Sequence, residues 1–128
     1  MANADTQSRA TMIRNMYAAS DSGDIDGVLG LLTEDVVLVF GNADVVRGKA
    51  AVEAQARQVT SKLKGVRHEV HDIWQAAEDT DVVIARMTVH YSRLDGTIVS
   101  LPCCNIYRMS GDLIADYRIY MDVNPVFA

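Results

Sequence analysis

The sequence predicts an α+β domain, in which three N-terminal helices precede a meander of long antiparallel strands. Three observations carry this expectation. Apolar residues recur at three- and four-residue spacing, first at Ile13, Met16 and Tyr17 and then at Ile25, Val28, Leu29 and Leu32, with the polar break Ser20-Asp21-Ser22-Gly23-Asp24 between the two sets. The run Val36-Val37-Leu38-Val39-Phe40 is continuously apolar, too short for a helix and rich in β-branched residues. Beyond Gly65, alternating segments are joined by the short turn-rich connections Glu78-Asp79-Thr80-Asp81, Leu94-Asp95-Gly96 and Ser110-Gly111-Asp112, which favour antiparallel neighbours.

Taken in order, the first helix stops at Gly23, and Asp24 is placed to cap the free amides of the second. The strand at 36–40 reads as buried on both faces, so helices should cover the sheet. Val45-Val46 forms a short strand after the Gly41-Asn42 turn, and Gly48 opens a third helix reaching about Lys64, with Val52, Ala56, Val59 and Leu63 on its inner face. Four strands follow, at about Val66–Ala76, Val82–Arg93, Ile98–Met109 and Leu113–Val123. Strands of this length twist and bend, and a bent sheet wrapped around a helix encloses a hollow with one open end. Helices followed by a meander form the α+β pattern.

Composition narrows the function classes. The chain has 128 residues, 49% hydrophobic and 23% charged, as expected of one globular domain spanning 1–128 that buries roughly two-thirds of its unfolded surface. Net charge is −5, and Arg57, Lys62, Lys64 and Arg67 are scattered. Nucleic acid and anionic membrane are therefore not expected partners, since both require a concentrated basic face. No apolar run approaches the ~18–20 residues of a membrane span. Residues 1–11 carry no signal-peptide core, and the expectation is a cytoplasmic protein.

Cys103 and Cys104 are adjacent in a strand, so their side chains leave opposite faces; neither a disulfide nor a thiolate zinc site is expected. His68, His71 and Asp72 are close in sequence, but the two histidines also project from opposite faces, so no metal is expected. No Gly-rich phosphate loop follows a strand, and no cofactor is implied.

The order of elements, the segment SGDIDGVLGLLTEDVVL, the Arg47-Gly48 turn into the third helix and the ending YRIYMD resemble the nuclear transport factor 2-like superfamily, and its SnoaL-like branch in particular. The resemblance covers nearly the whole chain. It implies a cone-shaped, strongly bent antiparallel sheet wrapped around the three helices, an α+β barrel with a small-molecule chamber. The superfamily hosts isomerases, dehydratases, cyclases, epoxide hydrolases and non-catalytic binding domains, so the site has to be read residue by residue.

In the last strand Asp116, Arg118, Tyr120 and Asp122 share one face and Tyr117, Ile119 and Met121 the other. Parity alone leaves the polar face either solvated or lining a site. The resemblance places Arg118 and Tyr120 on the concave side. By the same route His68, Val70, Asp72 and Trp74 face inward from the first long strand. Ala85, Met87, Val89 and Tyr91 follow, then Leu101, Cys103, Asn105 and Tyr107.

The positions that ketosteroid isomerases of this fold use for catalysis fall on Met16, Phe40 and Asn105, and the Arg-x-Asp pair of limonene-epoxide hydrolases falls near Met87 and Val89. Neither mechanism is therefore expected. The scytalone dehydratase and bile-acid dehydratase types are more similar, with an Asp after the first helix (Asp21), a His on the strand after the third helix (His68) and a late Arg (Arg118). The His-x-x-His of the bile-acid type is matched by His68 and His71. The chain departs from these enzymes at Met16 and Tyr91.

His68 can take and return a proton near neutral pH, and Asp21 can orient it. Arg118 would steady negative charge or pair with Asp116 or Asp122, and Tyr120, Asn105 or Asp122 would supply hydrogen bonds. The candidate catalytic residues are His68, Arg118, Asp21 and Asp122. The candidate ligand-binding residues are Tyr17, Phe40, Trp74 and Met87, together with Tyr91, Cys103, Asn105 and Tyr120. The expectation is a cofactor-independent lyase or isomerase of dehydratase, isomerase or cyclase type, acting on a small apolar ring or polyketide-like molecule; the alternative is a non-catalytic ligand-binding or assembly domain. A homodimer is expected through Tyr117, Ile119, Met121, Ile106 and Cys104 on the outer parity, with the apolar tail Pro125-Val126-Phe127 at the pocket rim or the dimer seam.

Overall fold

The computed structural model describes residues 4–128, with side chains from residue 7 onward. Helix α1 (Ala4–Asp21) carries the stripe Ile13, Met16 and Tyr17, none more than 3% exposed. Each such burial stabilises the fold by ~1.5–3 kcal/mol. The helix ends at Gly23, whose φ of +79° is open to glycine at little strain. There the Asp24 N–H donates to the Ala19 carbonyl at 2.9 Å and the Gly23 N–H to Ser20 at 3.0 Å, closing the last turn. Asp24 then caps α2 (Ile25–Leu29) by accepting from the Gly27 N–H at 2.9 Å.

Strand β1 (Leu32–Phe40) begins earlier than the helical spacing implies, because Leu32 is already in register with Ile114 and sheet pairing takes it from the helix. Its outward positions Val37 and Val39 are half-buried, whereas Val36 and Leu38 are buried. After the two-residue β2 (Val46–Arg47), Gly48 with φ +89° turns the chain into α3 (Lys49–Thr60). That helix stops short of Lys64, because Leu63 pairs with Arg93 as the first residue of β3 (Leu63–Gln75). Strands β4 (Val82–Arg93), β5 (Ile98–Ser110) and β6 (Leu113–Tyr120) complete the meander, and α4 (Asn124–Phe127) follows.

The six strands form one sheet in the order β2-β1-β6-β5-β4-β3. The meander is antiparallel as expected, but β1 pairs with β6 in parallel, so the sheet is mixed. No hairpin joins these two strands; β1 enters from the helices, so nothing in the connectivity forces an antiparallel pair.

Two bulges decide which side chains face the helices. In β3 the register shifts between Val70 and Asp72, leaving His71 as the extra residue. In β6 Met109 pairs with Ile114 but Arg108 with Asp116, leaving Ala115 as the extra residue. Each bulge reverses the inside–outside alternation beyond it. Consequently Ile114, Tyr117 and Ile119 lie on the concave side with Tyr107 and Asn105, and Asp116, Arg118 and Tyr120 lie outside. The same holds in β3, where Ile73 pairs with buried Ala85 while Asp72 and Trp74 pair with outward Arg86 and Ile84.

The concave face of β4 and β5 is core: Ala85, Met87, Val89 and Tyr91, then Cys103, Asn105, Tyr107 and Met109 are all buried. The convex face carries ion pairs, among them Asp72–Arg86, Asp79–Arg108 and Asp116–Arg118. The tail folds back as expected. Val126 is 3% exposed, the Phe127 ring lies 5.8 Å from Lys62 Nζ, and Arg93 donates to the Ala128 carbonyl at 3.0 Å, beside the α3–β3 junction. Among the described residues no helix is long and apolar enough to cross a membrane.

Candidate functional site

A cavity of about 400 Å³ lies between the sheet's concave face and α1, α2 and α3. Its walls are mostly apolar, with Val36, Leu38, Phe40, Val52, Tyr91 and Ile119 among the lining residues. It opens between the α1–α2 turn and the α3–β3 junction, where the lining residues Ser22, Gly23, Thr60 and Lys64 are exposed. The volume is that of a small-molecule site.

The principal polar feature at the wall is the pair His68 and Asp21. The stripe that buries Met16 and Tyr17 continues through Ser20 and Asp21, so the last residue of α1 faces the cavity and β3. The His68 main-chain N–H donates to both Asp21 carboxylate oxygens, at 3.1 and 3.0 Å, and His68 Nδ1 lies 2.6 Å from Oδ1. A carboxylate only accepts, so Nδ1 carries a proton, and Nε2 is the ring nitrogen that Asp21 does not hold. The imidazole packs against the Tyr17 ring, centroid to centroid 4.4 Å.

Behind that ring is a cluster of hydroxyls. Asn105 Nδ2 donates to the Tyr17 hydroxyl oxygen at 2.7 Å. Tyr17 also pairs with the hydroxyls of Tyr107 and Tyr117, the latter at 2.5 Å. Cys103 Sγ–H donates to Asn105 Oδ1 at 3.1 Å and fixes the amide's orientation. One phenol offers one donor and two acceptor positions, so Tyr17 is saturated, whereas Tyr117 lines the cavity and keeps capacity for a ligand. Burial is the main cause that pushes the phenols of Tyr17, Tyr107 and Tyr117 above their ordinary range, and all three remain neutral hydroxyls. Tyr91, also pushed up by burial, donates to Met121 Sδ at 3.3 Å.

Of the residues singled out from sequence, the structure brings together His68 and Asp21, and lines the cavity with Tyr17, Phe40 and Tyr91. Met87, Cys103 and Asn105 are buried on the same side but do not line the cavity. The remaining four are corrected. Arg118 lies on the convex face, its guanidinium donating to Asp116 at 2.9 Å, because Ala115 reverses the parity. Tyr120 is 52% exposed on that same face. Asp122 lies past the end of β6 and accepts from the Asn124 N–H at 3.0 Å, at the start of α4. Trp74 is turned outward by the His71 bulge and is 48% exposed. His71 itself bonds Thr88 Oγ1 at 2.8 Å, away from the cavity.

The residues missed are Tyr117, Ile119 and Gln55. The first two had a signal: apolar positions run at Ile114 and then at Tyr117, Ile119 and Met121, and this change of parity within one strand marks a bulge. Tyr117 and Ile119 therefore cannot supply an outer dimer surface, and Met121 is held from inside by Tyr91.

Helices over a bent sheet, enclosing an apolar chamber with a few convergent polar groups, define a cone-shaped α+β fold. Residues 13–117 match the SnoaL-like domain family, and the chain belongs to it. The curated proteins give no match. Among solved structures, the fold is similar to an NTF2-like protein of unknown function from Burkholderia pseudomallei, at 16% identity over 94% of this chain and 95% of that one, with a TM-score of 0.83. A Pseudomonas putida protein is 25% identical over 96% of this chain and 95% of its own, with a TM-score of 0.77. An epoxide hydrolase of the LEH-like type from Mycobacterium tuberculosis is 20% identical over 96% and 89%, with a TM-score of 0.80.

Proposed function

We propose that the chamber performs cofactor-independent acid/base chemistry on a small, mostly apolar ring molecule, as a lyase or isomerase. The observation that supports this reading is the Asp21–His68 pair, in which the carboxylate receives the Nδ1 proton of a residue lining an apolar cavity and Nε2 is the ring nitrogen it does not hold. His68 Nε2 takes a proton from a carbon beside a carbonyl, and the electron pair moves onto the carbonyl oxygen. Tyr117, backed by Tyr17 and Asn105, donates to that oxygen as charge develops. The imidazolium, held by the Asp21 carboxylate, then returns the proton to another carbon or to a leaving hydroxyl. Arg118, on the convex face, has no part in this scheme.

The test needs no knowledge of the natural substrate. Exchange of the α-hydrogens of 2-tetralone in D₂O, followed by NMR, should be faster with the protein than in buffer. His68→Ala should lose on the order of 10²–10⁴-fold of that acceleration. His71→Ala should retain it. Equal rates for the wild type and His68→Ala would overturn the assignment and leave the same cavity as a non-catalytic binding site.

A homodimer through the convex face is part of the proposal, keeping Ile106 and Cys104 from the sequence reading and replacing Tyr117, Ile119 and Met121 by Trp74, Ile84 and Tyr120. Trp74, Ile84 and Ile106 are consecutive partners across β3, β4 and β5, and Cys104 pairs with Tyr120 beside them. Trp74 and Tyr120 are each about half exposed, and a second copy would cover them. Sedimentation at micromolar concentration should show a dimer that Trp74→Glu dissociates; a wild-type monomer refutes it.

A further inference from the structure

Helix α3 presents Val52, Gln55, Ala56 and Val59 to the cavity, a stripe at i, i+3, i+4 and i+7. Gln55 is the polar member of that stripe. Its Oε1 is sealed from solvent and has no hydrogen-bond partner among the described residues, and no described residue bonds its Nε2. Several other polar groups around the chamber are engaged by the protein: Asp21 with His68, Ser22 with the Ala19 carbonyl, and Tyr17 with Asn105. A buried acceptor without a partner is destabilising, and leucine or methionine would fill the same wall without that cost. The terminal torsion of glutamine is soft and two-fold, so a half-turn about it exchanges the ends of the carboxamide and brings the oxygen to the cavity side.

We infer that Gln55 is a specificity-determining residue, whose carboxamide oxygen accepts a hydrogen bond from a hydroxyl on the bound ring. Resting on the reading of the chamber given above, this narrows the ligand class to a ring compound with two oxygen functions. One is an oxygen that accepts from Tyr117, on the sheet; the other is a hydroxyl that donates to Gln55, on the helical wall. A ring lacking that hydroxyl leaves the amide unpartnered, and that is how a mostly apolar chamber can discriminate strongly between molecules of similar shape.

The test compares the binding of 2,6-dihydroxynaphthalene with that of 2,6-dimethoxynaphthalene, whose oxygens can accept from Tyr117 but cannot donate to Gln55, by titration calorimetry. The wild type should prefer the diol by about ten-fold, within the range a site loses when its buried polar group is left unpaired. Gln55→Leu should reduce the preference to about two-fold or less by weakening the diol. It should also raise the thermal midpoint of the ligand-free protein by about 3–6 °C, since an unpartnered polar group is gone. Gln55→Met, unbranched and of similar length, should behave alike and guards against a packing defect in the leucine variant. Retention of the ten-fold preference in both variants, or its absence in the wild type, overturns the assignment. So does failure of the diol to bind the wild type. The 2-tetralone exchange reports separately on His68, so loss of the Gln55 preference with intact exchange leaves the catalytic reading standing, and the reverse result removes only that reading.

Discussion

Replacing Asp21 by alanine removes a carboxylate that holds two parts of the fold together. Its oxygens receive the His68 main-chain N–H at 3.0–3.1 Å and the ring Nδ1–H at 2.6 Å. A hydrogen bond to a charged group contributes about 1.5–3 kcal/mol, but these side chains are 14% and 24% exposed, so water recovers part of the loss. The expected destabilisation is about 2–4 kcal/mol. For 128 residues the unfolding entropy near the midpoint is about 0.27 kcal/mol/K, so the midpoint should fall by about 7–15 °C. Asp21→Asn keeps one acceptor and loses the charge, and should cost about 1–2 kcal/mol. Calorimetry or urea unfolding reads both values. A second readout separates orientation from mere stability: in ¹⁵N-labelled wild type, the ring nitrogens of neutral His68 should report the Nδ1–H tautomer, and in Asp21→Ala a mixture. An alanine variant within 0.5 kcal/mol of wild type, with unchanged ring signals, would refute the reasoning.

Tyr17→Phe deletes the hub to which Asn105, Tyr107 and Tyr117 bond, and should destabilise by about 1–3 kcal/mol while slowing 2-tetralone exchange by about ten- to a hundred-fold. Burial pushes the Cys103 thiol up to about 12, so its thiolate fraction at pH 8 is about 10⁻⁴; the Trp74→Glu variant, whose convex face is uncovered, should be alkylated by iodoacetamide at half-buried Cys104 and spared at Cys103, and equal labelling by mass spectrometry would contradict this. Removing residues 124–128 withdraws buried Val126 and the Phe127–Lys62 contact, and should lower the midpoint by about 5–10 °C in a thermal melt.

Much of the architecture was legible because local signals agreed with one another. Gly23 and Asp24 gave the helix break and cap, and the turn residues at 94–96 and 110–112 gave the hairpins. The ends of elements were less legible, since Leu32 and Leu63 have helical spacing but are claimed by pairing partners distant in sequence. For the site, His68 was placed correctly because it lies ahead of the His71 bulge, and Asp21, at the end of α1, was found through the resemblance to the dehydratases rather than through strand parity. Arg118, Tyr120 and Trp74 were misplaced because each lies just beyond a bulged residue, and strict alternation carries the error to every later position. Gln55 was passed over because a lone amide on an apolar helical face reads as tolerated polarity until its missing partner is seen.

The bulge at Ala115 also bears on how such a chamber can change over time. Strand β6 holds two sets of side chains, Tyr117 and Ile119 now inside, Arg118 and Tyr120 now outside. Loss of the single bulged residue would exchange them wholesale, giving the cavity a guanidinium and a new phenol and removing the hydroxyl that completes the tyrosine cluster. Most substitutions alter a pocket one side chain at a time; here a one-codon deletion would replace its lining along half a strand. A chain built this way keeps an unused second lining on its outer surface, one residue of register away.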